Sequence, residues 1–183
     1  MTIHVPAQAP VRPMVLDDQT HALALELFQL VRAGDGPRLS RLLRMGLVPN
    51  LRDGKGDSLL MLACYHGHAG LAQALLRHGA DTELANDRGQ IFLAAAAFKG
   101  DETIARLLLA SGASTDARMP GGRTALMLAA MFDRIAIVEL LLAHGADPQA
   151  VDDGGLDALA LANAMGAATA AAHLASVQST PPD

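Results

Sequence analysis

Tryptophan is absent, and the 183-residue chain holds only four phenylalanines and one tyrosine. A core so poor in rings has to be closed by small and aliphatic side chains, and hydrophobic residues make up 51% of the sequence. Cys64 is the only cysteine, which excludes an intrachain disulfide framework and a cysteine-rich zinc site. No apolar run approaches the roughly 18–20 residues that a bilayer-spanning helix requires. Residues 1–18 also lack the pattern of a secretory signal, because Pro6, Pro10 and Pro13 interrupt the stretch and Arg12 is its one basic residue. A cytoplasmic, membrane-free protein is the expectation. Charge of one sign is not concentrated anywhere. The net charge is −5 with acids and bases interspersed, so nothing resembles the basic stripe that would attract a nucleic-acid backbone.

What is present is a period. Gly56, Gly89, Gly122 and Gly155 are spaced by 33 residues (89 − 56 = 33), as are Gly79, Gly112 and Gly145, and Leu60, Leu93, Leu126 and Leu159. A repeat of this length marks a solenoid in which each unit buries its apolar face only against its neighbours. Each unit parses as helix, tight turn, helix, glycine stop and projecting hairpin-like loop. Ser58 and Thr124 are good N-cap residues for the first helix. Gly67 and Gly100 close the turn in the left-handed region, where Asp133 stands in the third unit. Leucines at helical spacing form the second helix, which ends at Gly79, Gly112 or Gly145. Long runs of alanine let such helices approach closely.

The run Gly122-Arg123-Thr124-Ala125-Leu126-Met127-Leu128-Ala129, with Leu141-Leu142-Ala143-His144-Gly145-Ala146-Asp147, resembles the ankyrin repeat. The likeness spans about residues 20–175 and is similar to small bacterial stand-alone ankyrin-repeat proteins. It implies an all-α solenoid of about five helix-turn-helix units over residues 19–176. The units lie near 20–52, 53–85, 86–118, 119–151 and 152–176, between disordered tails at 1–18 and 177–183. No unit keeps the proline of the family, and Met61, Ala94, Met127 and Ala160 replace its histidine. That histidine ties neighbouring loops in the family, so looser hairpins are expected here. Arg32, Asp35, Arg38, Arg41 and Arg44 supply a polar face at one end of the stack, and the alanine-rich helix through His173 and Leu174 closes the other.

The few aromatics are unevenly placed. In the ankyrin scaffold the end of each first helix faces the concave groove, and those sites hold Tyr65 and His66, Phe98 and Lys99, Met131 and Phe132, then Ala164 and Met165. Stacked units would align them into a stripe about 30 Å long, at roughly 10 Å per repeat. Packing into the core is the competing reading, but exposed rings and methionines rimmed by charge mark binding surfaces. The hairpin tips supply that rim with Lys55, Asp57, Asp87, Arg88, Gln90, Arg123, Asp152 and Asp153.

Catalytic and metal chemistry find no footing. His66 and His68 straddle a turn glycine at a spacing unsuited to metal, while His78 and His144 fit as caps of helix C-termini. Cys64 falls at an inward site, where a thiol is inert, and no His–Asp relay accompanies it. The expected function is therefore non-enzymatic and cofactor-free: binding one protein partner in the groove and at the loop tips. Tyr65, Phe98, Met131 and Phe132 would serve as anchors, with His66, Lys99, Arg88, Arg123, Asp57 and Asp87 as polar contacts. The resemblance implies roles such as an inhibitor or immunity partner, or an accessory protein to an enzyme such as a catalase. A stress factor with its own active site and a self-associating structural module are the alternatives. The protein itself would be a monomer or weak homo-oligomer.

Overall fold

Residues 18–179 are described in the computed structural model of the protein, so the expected tails lie almost wholly outside the described residues. Those residues form ten helices in five pairs: α1 (Asp18–Ala33), α2 (Gly36–Arg44), α3 (Leu59–Tyr65), α4 (Ala69–Arg77), α5 (Phe92–Lys99), α6 (Glu102–Ala110), α7 (Ala125–Met131), α8 (Ile135–Ala143), α9 (Ala158–Met165) and α10 (Ala168–Gln178). The first helices α1, α3, α5, α7 and α9 pack in sequence as one layer, and the second helices α2, α4, α6, α8 and α10 form the other. None is long and apolar enough to cross a membrane.

Helices as short as α3 and α7, seven residues each, would not persist alone in water. Packing and caps hold them. The hydroxyls of Ser58 and Thr124 accept from the Met61 and Met127 amides, and the Asp157 carboxylate accepts from Ala160. Ala63, Ala97, Ala129, Ala130 and Ala162 are fully buried between first helices, and Phe92 is the largest side chain with no exposure. Gly100 closes its turn at φ 80°, and Asp133 takes the same place at φ 52°. The Asp133 carboxylate also accepts from Ala170 N–H at 2.7 Å, capping α10, whose own N-cap residue Ala167 has no side-chain acceptor. His78 and His144 each donate Nδ1–H to the carbonyl four residues back, Ala74 at 2.9 Å and Leu140 at 2.8 Å. At the far end Val177 and Gln178 continue the helix beyond the expected boundary. The Gln178 amide is tied to Pro148 O at 3.1 Å and to Asp157 at 3.3 Å.

The expectation of loose hairpins is corrected. Arg52 donates to Gly56 O in its own hairpin and to Ala85 O in the next, at 2.8 and 2.7 Å. Arg118 does the same for Gly122 O and Val151 O, at 3.1 and 2.7 Å. Two arginines at one register thus perform the bridging that the missing histidine suggested was lost. A second ladder runs beneath, where Asn50, Glu83 and Asp116 accept from the amides of Asp81, Ser114 and Asp147.

Candidate functional site

Four hairpins project on the side of the first helices, and their turns repeat atom for atom. The amides of Asp53, Asn86, Met119 and Asp152 donate to the carbonyls of Asp57, Gln90, Arg123 and Leu156. In three of them the leading side chain also accepts two amides of its own turn: Asp53 from Lys55 and Asp57, Asn86 from Arg88 and Gln90, Asp152 from Gly154 and Leu156. The third hairpin has Met119 there, which cannot do this.

Between the first three hairpins and helices α1, α3, α5 and α7 lies a cavity of about 640 Å³, within the size range of binding pockets. Its floor is apolar, with Met61, Leu62, Ala94, Ala95 and Leu128. Tyr65 and Phe98 stand over it, 57% and 51% exposed, in a chain with few rings to spare. Phe132 meets Phe98 edge to face, with centroids 4.8 Å apart, a geometry worth about 1 kcal/mol. Lys99 fixes the other end of this ridge. Its Nζ lies 4.0 Å above the Tyr65 ring centroid and donates to the Tyr65 carbonyl.

Of the residues expected at the site, Tyr65, His66, Phe98, Lys99, Arg88 and Asp57 line the cavity. Met131, Phe132, Arg123 and Asp87 do not. Met131 and Phe132 are half-buried beside it, Arg123 turns toward Asp152 at 3.7 Å, and Asp87 faces Arg52 at 3.4 Å. Sequence reasoning passed over Met119 and Arg32 in the lining. Met119 was detectable as the one apolar residue in a register otherwise filled by Asp, Asn and Asp. Arg32, expected only at the terminal polar face, lines the cavity as well and pairs with Asp53 at 2.7 Å.

Desolvation first, then the neighbouring His68, Lys99 and Arg32 charges, hold His66 below the ordinary histidine value. Cys64 is buried behind the ridge, and burial, reinforced by the Asp101 charge, pushes its thiol up to about 12, which removes it as a nucleophile at neutral pH. Among the described residues no three His, Cys, Asp or Glu side chains converge as a metal site would require.

Comparison with known proteins agrees with this architecture. The family of ankyrin repeats, in sets of three copies, matches residues 27–119 and again 96–180. A Pseudomonas aeruginosa protein that carries the name of an ankyrin repeat protein is 59% identical over 54 residues, covering 30% of this chain and 32% of that relative. The match therefore spans about a third of the relative's length.

Proposed function

Starting from a chain that belongs to the ankyrin-repeat family, a general protein-interaction scaffold, we propose that it binds a protein partner in its groove and at its hairpin tips, without catalysis. One observation carries this reading: two of the five aromatic side chains stand half-exposed over a cavity with an apolar floor and a charged rim that stacking of the units does not require. Exposed rings in a preformed concavity cost little conformational entropy on binding and give large contact area. Tyr65 and Phe98 act as the central anchors, and Phe132 and Met131 extend the ridge. His66, Lys99, Arg88, Asp57, Asp87 and Arg123 form its polar surround. A rigid groove of this kind acts by covering or tethering its partner, as an inhibitor, immunity or accessory protein does.

The test is affinity capture from lysate of the source cell with the wild-type protein and a Phe98→Ala/Phe132→Ala double variant. Helix content and melting temperature of both baits are measured alongside. A protein held by the wild type and lost from the folded variant supports the groove. Equal retention by both baits moves the contact elsewhere, and unfolding of the variant makes the ridge part of the core. Self-association through the ridge would appear instead as a dimer in light scattering that the double variant converts to monomer.

A further inference from the structure

Neighbouring hairpins are joined by the same bonds at the first seam and at the last, but not at the middle one. Asp87 N–H donates to Lys55 O at 3.4 Å, and Asp153 N–H donates to Gly121 O at 3.0 Å. The register between them assigns the corresponding bond to residue 120 as donor and Arg88 O as acceptor. Residue 120 is Pro120, which has no N–H. Ala85 likewise stands where Arg52 and Arg118 reach across, and Met119 where Asp or Asn would hold the turn. Above the Ser114–Glu83 bond, the middle seam is closed by apolar contact, so tightly that a Cβ on Gly89 would lie 2.7 Å from the Pro120 ring. Two ties between hairpins and one within the third turn are absent at this seam, which borders the cavity at Met119.

The charges around the cavity divide into engaged and free. Arg32 is paired with Asp53, Lys99 is held on Tyr65, and Asp57 accepts from Asn86 Nδ2 at 2.8 Å. Among the described residues no ion pair or hydrogen bond engages the Lys55 ammonium or the Arg88 guanidinium. These two sit one repeat apart on adjacent tips, both lining the cavity. The next tips carry Gly121 and Gly154 at that register, so the cationic pair ends where the cavity does. In a chain of net charge −5, the uncommitted charge over this cavity is positive.

We infer that the groove takes an extended, acidic segment of its protein partner. Carboxylates of the segment meet Lys55 and Arg88, and an apolar side chain between them enters beside Met119 and Phe98. This inference rests on the groove reading above and adds the chemistry of the occupant. Two cations with Asp57 beside them suit a peptide better than a polyphosphate strand, which calls for a continuous basic track.

Fluorescence anisotropy tests it with three labelled peptides sharing a central Phe-Leu pair, flanked by Asp and Glu, by Asn and Gln, or by Lys. The acidic peptide is expected to bind at least about tenfold more tightly than the amide peptide, with the difference shrinking as salt is raised. Lys55→Glu/Arg88→Glu should abolish that preference, and Arg41→Glu, an exposed charge reversal on α2, should leave it intact. Equal binding of acidic and amide peptides overturns the inference, as does a preference that survives the double reversal, or an oligothymidine that binds as tightly as the acidic peptide. Should Phe98→Ala/Phe132→Ala abolish peptide binding while the charge reversal changes nothing, the groove stands and its acidic occupant falls. If no peptide binds the wild type at millimolar concentration, the inference is overturned, and the lysate capture decides separately on the groove.

Discussion

Asp152 is nearly buried at the base of the fourth hairpin, where its carboxylate accepts the amides of Leu156 and Gly154 at 3.0 and 2.9 Å. The Leu156 amide first, then the Gly154 amide and the Arg123 charge, hold its pKa below the ordinary 3.8, against the opposing effect of desolvation. The folded value lies below the unfolded one, so this stabilisation is present above the unfolded value and is lost as pH falls through the folded value. Asn86 shows that a neutral amide oxygen can hold the same turn. Asp152→Asn is therefore expected to fold with the same hairpin while losing this part of the acid sensitivity. Melting temperature followed from neutral pH down through the carboxylate range checks it. Curves for variant and wild type that stay parallel would show that Asp152 carries no such linkage.

At the scale of one hairpin, Met119 gives up the side-chain oxygen that accepts two backbone amides in the other hairpins, in exchange for an apolar wall on the cavity. Met119→Asp restores the turn found in the other three hairpins and should raise stability by about 1 kcal/mol, the net worth of ordinary hydrogen bonds less the lost methionine contacts. The same change puts a carboxylate beside the apolar floor and repels an acidic occupant. Higher stability with weaker peptide binding is the expected pair of results from urea denaturation and anisotropy. A variant that is less stable and binds no worse would remove Met119 from the site.

Across the whole molecule the helix layers are continuous through the middle seam, since α5 packs on α7 and α6 on α8, and the Ser114–Glu83 bond crosses it beneath the hairpins, whereas the arginine and backbone bonds between hairpin tips are found only at the flanking seams. Global unfolding should remain cooperative while opening of the tips does not. Hydrogen exchange is expected to be fastest, among hairpin amides, at Gly121 and Arg123, whose counterparts in the other three hairpins donate to the side chains of Asp53, Asn86 and Asp152. The Asp87 and Asp153 amides that bond across the flanking seams should be slower. Equal protection at all four hairpins would show that the apolar contact of Pro120 on Gly89 holds the seam as firmly as the arginine bridges do.

The 33-residue glycine and leucine period fixed the fold, because units that share one register can bury their leucines only by stacking. Local chemistry was legible with it: Ser58 and Thr124 as caps, Asp133 in the left-handed turn, His78 and His144 on helix C-termini, and Cys64 facing inward. Placement of Tyr65 and Phe98 over the groove followed from the same register. Three things waited for the tertiary structure. Arg52 and Arg118 bridge hairpins through backbone carbonyls, which no residue type announces. Met131, Phe132, Arg123 and Asp87 fall outside the cavity lining, because where a long side chain points depends on neighbours one repeat away. The cavity is walled by three hairpins together, and Met119 enters it beside the seam where Ala85 and Pro120 each leave out a bond between hairpins. Each is an ordinary residue alone, and only the stacking of the units makes the three a single gap.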